Sequence, residues 1–415
     1  MPDTITRTTS TSWFSRVGSA FAGVLIGFIL IVGCVVGLAW NEGRAVKTER
    51  GLREGASVVV NIQPDAVDPA NDQKLVHVSG PVVVTDPLED TEFGVTATGV
   101  HLARKVEMYQ WRESKKEEKR TKLGGGEETV TIYTYAKAWS GAAEDSSEFA
   151  EPNGHQNPEF AIEATDILAQ DATLGAFQLD DDVVGQIGGA APLRLTQDNL
   201  DAVKTAVDTD KYVSIRQNRI LLSAERPRST DVDDADDAEP VSEATTTTSA
   251  TPSIGDVRIS YYLTPAAVSS IVARQNGDGF LAYSARNGEE FLLVSDGAVP
   301  ATDMFKGAQD ENRIMTWIIR LVGMVLLMTG FGLLMAPLGV LADVLPLAGT
   351  IVRMGTGLIA FVLGLVVGVV TIALAWFAFR PLLSIAILVV GGLIAFGVYR
   401  LARSRNATKL AEAAA

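Results

Sequence analysis

From Val17 to Trp40 the sequence runs through 24 residues without one charged side chain. A helix of that length rises about 36 Å, enough to cross a hydrocarbon core of about 30 Å. No water is available there, so the segment must satisfy its own backbone polar groups, and a helix does so. Three further uncharged runs follow near the other end: Leu321 to Ala342, Met354 to Phe379 and Pro381 to Tyr399. The expectation is a membrane protein with four transmembrane α-helices, one N-terminal and three C-terminal. A cleaved signal peptide is the competing reading of the first run, but the run is too long and no clear small-x-small site precedes the polar NEGR.

Arg380-Pro381 is almost the whole link between the last two runs, which predicts a tight antiparallel hairpin. Residues 337 to 353 are apolar but interrupted by Pro337, Asp343, Pro346 and Arg353. This segment is expected to lie at the interface or to re-enter the bilayer. With four spans both termini share a side. Arg7 and Arg16 in the N-terminal arm (1–16) and Arg400, Arg403, Arg405 and Lys409 in the tail (400–415) favour the cytoplasm. Arg44, Lys47, Arg50 and Arg53 oppose them from beyond the first run. The balance places residues 41–310 on the non-cytoplasmic side of a multi-pass protein.

Ionisable residues inside spans mark transport pathways, because an unpaired charge in hydrocarbon is costly. The last two runs contain none. Arg320, beside Trp317, reads as a snorkelling side chain, and Asp343 is the one candidate for a buried acid, with a loop as the ordinary reading. Glycines are frequent instead. Gly23 and Gly27, Gly33 and Gly37, and Gly364 and Gly368 form three GxxxG pairs, candidate faces for close helix packing.

Between the spans, 270 residues (41–310) are enough to bury a large core. The chain carries a net charge of −15, which argues against a nucleic-acid partner, since phosphate binding needs a concentrated basic face. The single cysteine, Cys34, excludes an intrachain disulfide and reads as a small buried residue. Much of the domain alternates with period two. Ser57–Ile62, Lys74–His77, Val82–Thr85 and Val95–Trp111 read as strands, and NGDG (276–279) with NG (287–288) predicts a three-stranded meander. Helical periodicity fits Phe160–Ala172 and Thr196–Val207, with Thr196 as the N-cap. The domain is therefore a β-rich α+β unit. Its DVDDADDAEP and Thr-rich stretch, 230–253, has almost nothing to bury and reads as a disordered loop rather than a cation site.

The chemically loudest stretch is VEMYQWRE, residues 106–113. As a strand it alternates Val106, Met108 and Gln110 with Glu107, Tyr109, Trp111 and Glu113. The run TVTIYTYAKAW follows after a charged tip ending in Gly-Gly-Gly. A long hairpin is the economical reading, with Tyr109, Trp111, Tyr133 and Tyr135 as a structural aromatic ladder across its strands. A catalytic reading needs Glu107 or Glu113 beside a base, and the chain offers only His77, His101 and His155. His155 reads as a loop cap, and the DDD at 180–182 as an acidic turn. The sequence carries no nucleophile elbow, paired-histidine zinc motif, phosphate loop or CxxC. No catalytic residue, cofactor or metal is therefore expected.

NEGRAVKT after the first run, HVSG (77–80), RKVEMYQWRE (104–113), YTYAKAW (133–139), GHQNP (154–158), GDVRISY (255–261) and VARQNGDGFLAY (272–283) occur in that order. Together with one span before and three after, they resemble the transmembrane protein 43 family, also called LUMA. The resemblance implies a four-span protein with its large domain in the lumen, placed in animals at the endoplasmic reticulum and inner nuclear membrane. It also implies lamin and emerin binding and a part in nuclear-membrane organisation, and supplies no catalytic residues. The long 230–253 insertion departs from the animal pattern. The Ala, Val and Asp richness fits a bacterial source, whose address would be the cell membrane and whose cell has no lamins. The function expected is a scaffold that self-associates as a homo-oligomer or gathers other membrane proteins in the bilayer. An extracytoplasmic enzyme with an unfamiliar site and a channel or transporter are the alternatives.

Overall fold

The computed structural model describes residues 3–206, 211–223 and 252–381. The expected fourth span, the basic tail and nearly all of the 230–253 loop lie outside the described residues. Helices α1 (Trp13–Val58), α2 (Gln197–Ala206), α3 (Ala301–Ala342) and α4 (Pro346–Phe379) include three that are long and apolar enough to cross a membrane: α1, α3 and α4.

The helices outrun the apolar segments that announce them. Ser12 opens α1, its side chain accepting from Ser15 N. The helix then continues 18 residues past Trp40, because NEGRAVKTERGLREG is made largely of good helix formers and Glu49 meets Arg53 one turn on at 2.7 Å. The strand expected from Ser57 shrinks to Val60–Asn61. Likewise α3 begins at Ala301, twenty residues before the uncharged run. Its first turns put Met304 and Phe305 into a small core with Leu52, Leu75 and Val272. Residues 337–353 are divided between the end of α3, a short turn and the start of α4. Pro337 is accommodated within α3, a short turn follows Ala342, and Pro346 opens α4 at the first helical position, where a missing N–H costs nothing.

Close approach of α1 and α3 depends on glycine. A Cβ at Gly27 would stand 2.7 Å from the carbonyl oxygen of Gly330, and one at Gly323 would stand 2.6 Å from Leu38 Cδ2. Leu38, 1% exposed, fills that gap beside Cys34 and Leu327. Between α3 and α4, Gly364 lies against the Met328 backbone. The outward sides of all three helices expose large apolar residues, among them Phe28, Val325 and Leu358, as a lipid-facing surface must.

The domain is built on two antiparallel-dominated sheets. The larger runs β1 (Asp3–Thr11), β4 (Glu127–Ser140), β3 (His101–Thr121), β7 (Val257–Thr264), β6 (Arg219–Ser223), β5 (Tyr212–Arg216). The second centres on β2 (Leu75–Val83) paired with β8 (Val268–Asn276), with β9 (Leu293–Asp296) on the far edge of β8. Val76, Val78 and Ile271 from one sheet and Leu102, Ile259 and Tyr261 from the other belong to one core.

Three further domain expectations need correction. Val95–Trp111 is not one strand: Val95–Ala97 pairs with Leu88–Asp90 in a separate hairpin, and β3 begins only at His101. Phe160–Ala172 is not helical; its centre is a strand, Thr165–Leu168, pairing with β3, and β-branched Thr165 and Ile167 suit that edge. The expected meander is interrupted. β8 does turn, through Gly277–Asp278, into Gly279–Leu281. The chain then leaves the sheet as a small hairpin, Tyr283–Ser284 with Glu290–Phe291, before β9 returns to pair with β8 itself. The diversion has a cause in α1: Thr48 donates to Glu289 at 2.6 Å, and the Phe291 ring covers Gly55.

The N-terminal arm is not a free tail. β1 pairs along β4, from Asp3 opposite Tyr135 to Thr11 opposite Glu127, making a three-stranded ribbon with β3. The ribbon tip turns through Gly124 and Gly125, both with positive φ, which glycine adopts without strain. That tip meets the far end of the helix bundle: Gly124 N donates to Val344 O at 3.2 Å, and Trp13 packs on Gly125. From Tyr109 to Thr121 the β3–β4 hairpin extends about 40 Å, close to the rise of α1 from Arg16 to Asn41, and β1 flanks only its outer ~26 Å, from Glu113 onward. Ribbon and bundle therefore lie side by side.

Candidate functional site

Glu113, Tyr135 and His155 come together at the ribbon base, an association that spacing in the sequence does not announce. Glu113 and Tyr135 are cross-strand partners in the β3–β4 register. The Tyr135 hydroxyl donates to Glu113 Oε2 at 2.7 Å and accepts from Glu151 N at 3.0 Å, and Glu113 Oε2 also accepts from Ala150 N at 2.6 Å. His155 stacks on Tyr135 with ring centroids 3.9 Å apart and meets Trp111 edge-on at 4.7 Å. Its Nδ1 bonds Glu151 O at 3.0 Å, and its Nε2 faces Asp3 Oδ2 at 3.3 Å. Two residues on, Asn157 clamps Trp111 by both backbone groups, at 2.7 and 2.9 Å.

Chemically this cluster is closed. Tyr135 is 0% and His155 6% exposed, and the Tyr135 hydroxyl, both His155 ring nitrogens and Glu113 Oε2 are engaged with the chain itself. Burial, followed by the bond to Glu113, pushes the Tyr135 hydroxyl up to about 12, away from acid–base work near neutrality. Glu107 is no freer: Arg258 grips it through two bonds of 2.6 and 2.9 Å and holds its carboxyl below the ordinary range. Asp180, first of the DDD, caps a one-turn helix by accepting from Val183 N. What the trio does is join the N-terminal strand, the hairpin and the GHQNP loop.

The aromatic ladder is not formed as the alternation suggested. The hairpin register sets Tyr109 opposite Trp139, with rings 5.3 Å apart, but places Trp111 opposite Lys137 and Tyr133 opposite Lys115. Rings therefore alternate with cations: Lys137 lies over Trp111 and Arg7 over Tyr133, while Tyr135 is taken by His155. The glycine pairs also divide. Gly27, Gly364 and Gly368 sit in helix contacts and Gly23 reaches Leu333, whereas Gly33 and Gly37 meet nothing among the described residues.

Between the helices, Arg320 and Asp343 stood out in the sequence, but their partners Glu42, Trp376 and Arg16 did not. Glu42, 2% exposed, receives two bonds from Arg320, at 2.6 and 2.7 Å, and one from Trp376 Nε1 at 2.8 Å. Arg320 is also sandwiched between the Trp317 and Trp376 rings. It does not snorkel; it ties α1, α3 and α4 together on the domain side. At the opposite end Asp343, 1% exposed, caps α3 and accepts from Arg16 at 2.6 Å and from Arg353, while Arg16 also reaches Gly125 O and Glu127 on the ribbon. The Glu42–Arg320 and Arg16–Asp343 pairs join residues hundreds of positions apart, so only the ionisable residues at run ends could have signalled them.

Three long apolar helices, internally cross-linked by buried ion pairs and fused to a β-rich domain, define an integral membrane protein. A family model described as Transmembrane protein 43 matches residues 108–381, and the chain belongs to that family. It is 29% identical to mouse Transmembrane protein 43 over 96% of this chain and 94% of the mouse one. Against the human protein of that name it is 27% identical, covering 90% and 89%. A Drosophila melanogaster protein named Transmembrane protein 43 homolog is 26% identical, covering 88% and 91%. No solved structure matches.

Proposed function

We propose that the chain is a self-associating membrane scaffold, with its β-rich domain on the non-cytoplasmic side and partners gathered through its spans. One observation carries this reading: a polar ribbon reaches from the domain to the far end of the apolar bundle, where Arg16 bonds both Asp343 of the bundle and Glu127 of the ribbon. β1 ends the sheet, and its residues, TITRTTST among them, are mostly exposed. If α1 crosses the bilayer, that edge stands at membrane depth, where lipid-exposed strand edges do not occur and irregular or polar backbone needs protein or enclosed water around it. A second copy supplies such an enclosure. Pro381–Tyr399 as a fourth span would carry the C-terminal tail to the cytoplasmic side, where α1 begins, while β1 runs back from Thr11 toward the domain, and a bacterial chain of this kind would reside in the cell membrane.

The test is a subunit count in membrane. Protein in lipid nanodiscs, counted by single-molecule photobleaching, is expected to show two or more copies per disc; one copy throughout would refute self-association. A channel is the second reading, favoured by the same ribbon, whose Lys115, Glu117, Arg120 and Glu128 could line water. Ion flux in reconstituted vesicles that disappears when β3 charges are neutralised would establish it over the scaffold.

A further inference from the structure

A cavity of about 510 Å³ opens where α1 leaves its apolar run, walled by Trp40, Arg44, Lys47 and Arg50 of α1, Phe379 at the end of α4, and the Asn287–Glu289 turn. Arg44, Lys47 and Arg50 recur every three residues, so one face of the helix presents three cations to it. The one carboxylate in the wall, Glu289, is committed to Thr48 at 2.6 Å and to Lys47 at 3.6 Å. The two arginines lack any such partner. Among the described residues neither forms an ion pair. Arg44 bonds only the neutral Asn41, Asn312 and Thr316, with its Nε buried and unbonded, and Arg50 bonds only the Phe379 carbonyl.

Two guanidiniums without counter-charge in one cavity are an arrangement that an anion completes, and phosphate oxygens suit the planar fork of arginine best. The depth narrows the source. Trp40, 64% exposed, is the last residue of the uncharged run, so the cavity sits where headgroups lie and where tryptophan is favoured. We infer that the Arg44–Lys47–Arg50 cavity binds a phosphate-bearing anion, presented to it as the headgroup of an anionic phospholipid.

The test uses the full-length protein in a neutral detergent, titrated with phosphatidylglycerol or phosphatidylcholine and read by native mass spectrometry. Phosphatidylglycerol should bind at one site per chain, at least about tenfold more tightly than phosphatidylcholine, and Arg44→Gln and Arg50→Gln should each weaken it about tenfold. Arg53→Gln removes the same charge one turn away, from a side chain paired with Glu49 outside the cavity, and should change nothing. A parallel arm offers inorganic phosphate alone. If millimolar phosphate occupies the site and displaces the lipid, the phosphate chemistry stands and the natural ligand is a soluble one. Equal binding of both lipids with no phosphate binding, or an Arg53→Gln loss as large as that of Arg50→Gln, would overturn the inference. Arg50 makes a single backbone contact, so a loss at Arg50→Gln in normally eluting protein cannot be ascribed to misfolding.

Discussion

The ribbon and the bundle run the same distance with opposite demands on their surroundings. The bundle hides its few charges inside, at Glu42–Arg320 and Asp343–Arg16, and turns Phe, Val and Leu outward. The ribbon displays its charges, Lys116, Glu118 and Arg120 among them, and stays polar on its edge. In the bundle, polar groups are the internal fasteners; in the ribbon, they are the surface. Structures with such different solvents can share a depth only if protein or trapped water separates the ribbon from lipid.

The sharpest way to break this contrast is to remove one partner of a fastener. Arg320→Leu strands Glu42 between three helices and should cost about 3–5 kcal/mol, read as a large fall in the unfolding midpoint in detergent. The double variant Glu42→Gln with Arg320→Met should recover part of the loss, because no charge is left buried alone. Next in size is helix packing. Gly27→Leu drives a side chain into the Gly330 carbonyl and should cost about 1–3 kcal/mol, whereas Gly33→Leu, meeting nothing among the described residues, should be nearly neutral. Equal effects at both positions would show that the α1–α3 contact is not as described.

How much of this was legible beforehand depends on the range of the interaction. Apolar runs and the Asn-Gly turn are local signals, so Val17–Trp40 and the β8 turn through Gly277–Asp278 were visible at once. Helix ends were not, because α1 beyond Trp40 is held by contacts with Glu289 and Phe291, some 240 residues away in sequence. Phe160–Ala172 misled because its apolar spacing fits either period, and pairing with β3 decided the matter. The trio Glu113, Tyr135 and His155 was visible as residue types but not as neighbours. A hairpin register and a loop return bring them together.

Smaller effects probe the ribbon base. Tyr135→Phe removes the hydroxyl shared by Glu113 and Glu151 N and should cost about 1–2 kcal/mol. Because the folded-state value of Tyr135 is raised, its contribution is complete below pH 10 and is lost as pH rises toward about 12. Alkaline unfolding of Tyr135→Phe should therefore show a shallower slope in that window. The smallest effect is at Glu107, a third exposed, whose carboxyl Arg258 holds below the ordinary range. A lowered value stabilises above the ordinary carboxylate range and is lost as pH falls through the folded-state value. Glu107→Gln should remove a part of the acid sensitivity amounting to less than about 1 kcal/mol.

The central claim, that ribbon and bundle share a depth in the membrane, can be measured as a distance. Spin labels at Leu123 on the ribbon tip and Leu345 in the α3–α4 turn, both exposed, flank the contact between Gly124 and Val344. Pulsed dipolar spectroscopy on protein in lipid vesicles should give a narrow distribution centred within about 20 Å, the reach of two labels on adjoining turns. A broad distribution extending beyond about 40 Å, the full length of the ribbon, would mean that it swings free of the helices and would contradict the account.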